Sequence, residues 1–429
     1  MTIIGLVDDR CLLEDEIGPY TSNASNGYSS PAPTAQDFTV LAEATHGYPA
    51  SKIAWQPIKA YQLNGGMNER GEPRELLAST SDGLRIWEYV VQDTSAHGNY
   101  VGKAVTPAPG TGRLTQRVSL TGVTTYHIWF CEKLMILSCL VQQTKGQANG
   151  QLAPLTSFAW NSIDPQRIVT SSIDTTCTVW NIITQTAVTQ LIAHDREVYD
   201  VAWLPGSTDI FTSVGADGSL RAFDLRSLEH STILYETTSS KSRAAAAAQG
   251  SPSTRSGSTA LLRIAFNPND ANYMATFHLD SADVQMLDMR SPGQPVAELR
   301  AHQGEVNAIG WGKSDSHLLS SAGELHFYAL KPCEFRALFL GSDGQLLVWD
   351  LSPSNLSARS ASQTRSSRSE RKGSKNIITD PFLAYTVPGE LCNLAWSPPM
   401  PAFSVMGAHM QGGDWLATVN GKSLRCLKV

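Results

Sequence analysis

Four stretches of this chain repeat one phrase: a polar turn around an aspartate, then a short alternating strand that closes on an aromatic. They lie at residues 81–87, 172–180, 215–224 and 342–350, with Asp82, Asp174, Asp217 and Asp343 in the turns and Trp87, Trp180, Phe223 and Trp349 at the strand ends. A hairpin with apolar side chains on both faces cannot bury them alone, so it must stack on copies of itself. The chain is therefore expected to be a repeat architecture, and such architectures serve binding more often than catalysis.

A second phrase precedes these hairpins, an alternating strand ending in Trp55, Trp160, Trp203, Phe266, Trp311 or Trp396. Turn signals follow several copies: Gln56-Pro57, Asp164-Pro165, Leu204-Pro205, Asn267-Pro268 and Ser397-Pro398-Pro399. Period-two strands separated by Pro, Asn and Asp turns argue for an antiparallel all-β fold. Trp160 and Trp203 are 43 residues apart, which fits four short strands and their turns, one blade of a β-propeller.

The expectation is one β-propeller over 1–429 with seven blades, the first incomplete. The blades are read as 1–45 (partial), 46–150, 151–192, 193–236, 260–300, 301–387 and 388–429. Residues 2–7 and 38–42 look like the third and fourth strands of the first blade. The chain then starts too late to supply that whole blade, and closure there is expected to be weak.

The hairpins resemble the WD-repeat family. Its unit has a His before the first strand, a Ser or Thr on the second, an Asp in the next turn and a Trp on the third. His302, Ser320, Asp343 and Trp349 fill all four places. His46, Ser79, Asp82 and Trp87 also fit, while His194, Ser213 and Asp217 fill three and Phe223 takes the fourth. Thr170, Asp174 and Trp180 lack the His. A Ser, His and Asp together would ordinarily suggest a hydrolase triad. Here the set recurs blade after blade, which one active site would not do. It is read as a buried polar chain that locks each hairpin.

Phrases at 153–158, 170–178, 190–200, 213–219 and 228–233 look like the transparent testa glabra / anthocyanin-eleven family, whose animal member is a cullin-4-associated factor and kinase scaffold. The resemblance covers roughly 49–90, 154–312 and 380–429. It implies a non-enzymatic adaptor in cytoplasm and nucleus whose partners are transcription regulators, protein kinases and a cullin-4 ligase adaptor. Cullin-4 receptors of this kind carry a W-D-x-R box. Its matches here, Phe223-Asp224-Leu225-Arg226 and Leu287-Asp288-Met289-Arg290, keep Asp and Arg but lack Trp. Each Arg is either a docking residue or a strand-end charge paired with its neighbouring acid.

Irregular segments interrupt the period at about 94–150, 237–259, 324–340 and 352–376. Within the first, 101–125 carries no pattern, and the apolar 126–141 is a candidate fourth strand. The aromatic run at 324–340 splits what should be a tight hairpin; it reads as translated non-coding sequence, as 101–125 does too, or as a hydrophobic docking element. The segment 352–376 sets six basic residues against Glu370 and is a solvated linker, a nuclear import signal, a phosphorylated tail or an RNA-binding arm.

A formal charge of −6 gives no global attraction to nucleic acid or anionic membranes. The seven cysteines form no C-x-x-C pair, so no zinc site is expected. The longest apolar stretch is far below the ~20 residues of a membrane span, and the N-terminus, with Asp8 and Asp9, does not read as a secretory signal. Gly310-Trp311-Gly312-Lys313-Ser314 imitates a P-loop tail but lacks the earlier glycine. No cofactor, metal or catalytic set is expected.

Overall fold

The structure is a computed structural model that describes residues 2–6, 38–57, 74–91, 112–120, 153–237, 260–313, 317–323, 344–352, 376–387, 389–397, 404–405, 408–409, 415–420 and 423–429. Asp343 and the expectations for 126–141, 238–259, 324–340 and 353–375 lie outside them. The chain forms two compact units, Met1–Thr121 and Gly122–Val429.

In the first unit, β1 (Thr2–Leu6) and β2 (Phe38–Glu43) pair antiparallel. Beside them is a four-stranded meander of β3 (Lys52–Trp55), β4 (Arg74–Thr80), β5 (Leu84–Val91) and β6 (Gly112–Leu120). β6 corrects the reading of 101–125 as patternless. It pairs with β5 from Leu84↔Leu120 to Val91↔Gly112. A bulge at Arg117 puts Leu114 on the opposite face from Val118 and Leu120, and Arg113, Gln116 and Arg117 are exposed, so no strict alternation shows in the sequence.

The second unit repeats the meander. Its first sheet is β7 (Leu155–Trp160), β8 (Arg167–Ser172), β9 (Thr176–Asn181) and β10 (Thr186–Ile192). The next is β11 (Val198–Trp203), β12 (Ile210–Gly215), β13 (Ser219–Asp224) and β14 (Ser227–Glu236). Then come β15 (Leu261–Phe266), β16 (Tyr273–His278), β17 (Asp283–Asp288) and β18 (Ala297–Arg300), followed by β19 (Val306–Trp311), β20 (Leu318–Gly323) and β21 (Gln345–Asp350). The chain next lays β22 (Asn376–Ile378) parallel to β18 as a fifth strand of the preceding sheet, and returns with β23 (Leu383–Thr386) to pair with β21. The last sheet holds β24 (Leu391–Trp396), β27 (Trp415–Asn420) and β28 (Ser423–Lys428), with a small hairpin of β25 (Ser404–Val405) and β26 (Ala408–His409) inserted.

Among the described residues six sheets of blade form result, not the seven expected. Among the described residues the expected first blade shows the two-stranded β1–β2 ribbon. All are β-propeller-type meanders.

The apolar cores of the second unit lie between consecutive sheets. Val169 and Val179 of one sheet pack against Val201, Phe211 and Phe223 of the next. Val214, Leu220 and Leu234 meet Leu261, Ile264 and Met274. Phe277, Met286 and Leu299 meet Trp311, Leu347 and Trp349, and Leu346 and Val348 meet Leu391, Trp396 and Leu416. Central strands such as β8, β12 and β20 are buried almost end to end, because each is covered on both faces.

Polar bonds cross these layers as well. The indole of Trp203 donates to Ala159 O (3.0 Å), that of Trp311 to Ala265 O (2.9 Å) and that of Trp396 to Gly310 O (3.2 Å). Each acceptor belongs to the residue before the inner-strand aromatic of the preceding sheet. Asp200 on β11, 3% exposed, links three sheets. It accepts Ser157 Oγ–H from β7 at 2.5 Å and Ile264 N–H from β15 at 3.1 Å. Its own neighbour Val201 donates at 3.0 Å.

Removing Asp200 takes the acceptor from two amides and a hydroxyl, and a buried donor left without a partner costs roughly 1–3 kcal/mol. Asp200→Ala is therefore expected to lower unfolding free energy by about 3 kcal/mol in urea titration. Trp311→Phe, which keeps the ring area and loses one hydrogen bond, should cost only about 1 kcal/mol.

Candidate functional site

The expected polar set is most complete in the β11–β14 sheet. His194 precedes β11 with its side chain fully buried. Its Nε2 lies 2.7 Å from Ser213 Oγ and its Nδ1 3.0 Å from Asp217 Oδ1. A carboxylate only accepts, so Nδ1–H donates to Asp217. Ser219 also donates to Asp217, through its amide (3.0 Å) and its hydroxyl (2.8 Å). Burial pushes the Asp217 carboxyl up, but the hydrogen bonds from His194 and Ser219 outweigh it and hold the group well below the usual carboxylate range. Phe223 takes the aromatic place and stacks on Phe211 with centroids 5.1 Å apart. The imidazole lies so close over Gly215 that a Cβ there would come within 3.0 Å of His194 Cγ.

In the β19–β23 sheet, His302 Nε2 meets Ser321 Oγ at 2.8 Å and the Trp349 indole donates to the same oxygen at 2.9 Å. The expected partner, Ser320, is thus corrected by one residue. Successive strand residues point to opposite faces, so a slip of one exchanges the two roles. Ser320 faces the next sheet, donating to Gly310 O (2.9 Å) and accepting from the Trp396 indole (2.8 Å). The signal was present in the spacing. The fourth residue of β8, β12 and β20 is Thr170, Ser213 and Ser321.

The other two sets depart from the full arrangement. Trp180 donates to Thr170 Oγ1 at 2.9 Å, and Asp174, with no His beside it, binds the amide (3.1 Å) and hydroxyl (2.6 Å) of Thr176 in its own turn. In the β3–β6 sheet, His46 Nε2 and the Trp87 indole both reach Ser79 Oγ, at 3.0 and 2.9 Å. Asp82 does not bond to His46 as the set requires. Arg85 holds it with two bonds of 2.6 and 2.9 Å, and this hydrogen bonding keeps the Asp82 carboxyl well below its usual range. The guanidinium of Arg85, at the start of β5, takes the carboxylate with charge-assisted bonds, and His46 Nδ1 faces Tyr48 O instead. Arg85 and Asp200 are the residues that motif reading missed.

The two Asp-x-Arg motifs occupy the same place on consecutive sheets, at the ends of β13 and β17. Arg226 grips Asp224 with Nε and Nη2 at 2.9 and 2.6 Å. Arg290 grips Asp288 at 2.9 and 2.7 Å, bonds Tyr273 Oη at 3.0 Å and lies over the Tyr273 ring. The Arg226 and Arg290 side chains are 66% and 57% exposed. Both carboxyls are held below the usual range, first by their arginine hydrogen bonds. Neighbour pairing is therefore realised at both motifs, and both guanidinium groups still face solvent. Among the described residues no group of three or more His, Cys, Asp or Glu could hold a metal ion, and no helix is long and apolar enough to cross a membrane.

Comparison with known proteins is consistent with this geometry. The family model "WD domain, G-beta repeat" matches residues 185–224 and 293–350. An uncharacterised WD repeat-containing protein of Schizosaccharomyces pombe is 36% identical over 89% of this chain and 75% of its own length. A DDB1- and CUL4-associated factor 7 homologue of Dictyostelium discoideum is 34% identical over 91% of this chain and 83% of its own. A WD repeat-containing protein of Saccharomyces cerevisiae is 32% identical over 89% of this chain and 66% of its own.

Ser321→Ala removes the hydroxyl that meets His302 Nε2 and accepts from the Trp349 indole, and is expected to cost about 1–3 kcal/mol in chemical denaturation. A depressed carboxyl stabilises the fold above its unfolded pKa, and that stability is lost as pH falls towards the folded value. Asp217→Asn should therefore lower stability at neutral pH and flatten the loss of stability below about pH 4. A parallel acid limb in wild type and variant would rule out this role for Asp217.

Proposed function

We propose that this chain, which belongs to the WD40 family of G-beta repeat proteins, is a non-enzymatic scaffold that binds regulatory proteins on the turns of its sheets. The carrying observation is what happens to the recurring Ser, His and Asp side chains. In the β11–β14 sheet they are spent on one another, and in the other described sets each is hydrogen-bonded within its own sheet or turn. A pre-ordered surface loses little conformational entropy when a partner docks. The relative named as a DDB1- and CUL4-associated factor 7 homologue supports an adaptor reading. The phrases at 170–178 and 190–200 support membership of the transparent testa glabra / anthocyanin-eleven branch. On that reading its partners are transcription regulators and protein kinases, in cytoplasm and nucleus.

A second reading, substrate receptor of a cullin-4-type ubiquitin ligase, is favoured by the two exposed guanidinium groups at matching places on adjacent sheets. The basic segment 352–376 is the basis of a third reading, an RNA- or chromatin-associated role, and all but its end residues lie outside the described residues.

Affinity purification of the intact chain with mass spectrometry tests the scaffold. Recovery of kinases or transcription regulators is expected, and recovery of none would reject it. For the ligase reading, the Arg226→Glu/Arg290→Glu double variant is expected to lose ligase-adaptor recovery at least tenfold while other partners stay. Unchanged adaptor recovery would leave the arginines as neighbour-paired surface charges.

A further inference from the structure

After β17 the chain turns through Ser291-Pro292-Gly293-Gln294, four exposed residues that follow Arg290 and precede the buried Pro295. A type II turn favours Pro at its second position and needs positive φ at its third; Pro292 and Gly293, with φ of 96°, supply both. Ser291 N–H donates to Asp288 O at 3.0 Å and Gly293 N–H to Leu234 O of β14 at 2.8 Å, so backbone bonds fix the turn. None of this uses the Ser291 side chain, whose hydroxyl has no hydrogen-bond partner among the described residues.

A free hydroxyl followed by proline is the acceptor of proline-directed protein kinases, whose pocket for the next residue takes a pyrrolidine ring and asks for no N–H. Three described serines precede a proline: Ser291, Ser352 and Ser397. Ser352 and Ser397 are half-buried, and Ser397 Oγ accepts the Trp415 amide at 3.2 Å. Among the described residues Ser291 alone joins exposure to that sequence. The matching turn of the preceding sheet reads Arg226-Ser227-Leu228 and lacks the proline.

We propose that Ser291 is a phosphorylation site for a proline-directed protein kinase and that Arg290 holds the phosphate. The γ-phosphoryl group of ATP passes to Ser291 Oγ: a new O–P bond forms, the bond to the ADP oxygen breaks, and the hydroxyl proton goes to the catalytic aspartate of the kinase. The product carries a charge of about −1.5 to −2 at neutral pH and three acceptor oxygens. Arg290 is placed to meet it. Its Nε and Nη2 are taken by Asp288 and Tyr273, whereas Nη1 has no partner among the described residues and the side chain is 57% exposed. A phosphate on the adjacent residue fills that open edge with a charge-assisted bond. On the ligase reading above, on which this consequence rests, the phosphate closes Arg290 to a partner's carboxylate and leaves Arg226 open.

The test incubates the intact chain with ATP and a mitogen-activated protein kinase and maps phosphate by peptide mass spectrometry. Phosphate on Ser291 is expected, and Pro292→Ala should lower it at least tenfold. Ser291→Ala should match wild type in thermal unfolding, because the hydroxyl bonds nothing. Phosphorus NMR then follows the resonance that Ser291→Ala removes. Its second pKa, ordinarily about 6, should rise by roughly half a pH unit or more in Arg290→Gln, since loss of a neighbouring cation disfavours the dianion. Ligase-adaptor recovery should fall at least threefold on phosphorylation of the wild type and should not respond to it in Arg290→Gln. No phosphate on Ser291, or a resonance whose titration ignores Arg290→Gln, would each overturn the proposal. Phosphate held by Arg290 with adaptor recovery unchanged would uphold the site and reject its ligase consequence.

Discussion

A small sheet whose strands are apolar on both faces must be covered on both faces, and this one demand organises the second unit of the protein. The central strands β8, β12, β16 and β20 are buried nearly throughout. None of their sheets contains an interior of its own; the apolar clusters all lie between one sheet and the next. Removing one sheet would expose a face on each neighbour, at roughly 25 cal/mol per Å² of apolar surface. The fold is thus cooperative between repeats although each repeat is local in sequence.

Apolar contact alone would allow the sheets to slide over one another, since it is not directional. The polar bonds across the layers remove that freedom. Trp203, Trp311 and Trp396 each present an indole N–H to one carbonyl of the preceding sheet, which fixes the offset along the strand. Asp200 does the same in two directions, towards β7 and β15. Within a sheet, the His194 and His302 rings sit over Gly215 and Gly323, and His194 also holds Asp217 in the turn that follows Gly215. The same Ser, His and Asp residue types that build a hydrolytic site elsewhere are here hydrogen-bonded inside the sheets that contain them.

Much of this was legible in the sequence because a repeat states its own alignment. The strand phrases, their turns and the His194–Ser213–Asp217 set follow from alternation and spacing. Three features did not. Ser320 and Ser321 are adjacent identical residues, and only the register against β21, Ser321↔Leu347, tells which face each occupies. β6 was hidden because its outward positions carry Arg113, Gln116 and Arg117, so it reads as polar chain rather than strand. β22 leaves its own repeat for the previous one, a long-range choice that no local pattern encodes. The blade count failed for a related reason: a two-stranded ribbon and a four-stranded blade announce themselves by the same kind of strand.

What the repeats share is spent on stability, so what this chain does must be sought where the repeats differ. The Asp-x-Arg motifs are such a place. Asn181-Ile182-Ile183 and Asp350-Leu351-Ser352 stand at the same position in neighbouring sheets and offer no cation. Arg226 and Arg290 do, and their pairing with Asp224 and Asp288 does not oppose docking. An exposed ion pair adds little stability, but a two-point grip through Nε and Nη2 holds the planar guanidinium in one orientation. Less side-chain entropy then remains to be lost when a partner meets the exposed edge of the fork. Neighbour pairing and recognition are compatible here, because the carboxylate that occupies one side of each guanidinium is what presents the other side to solvent.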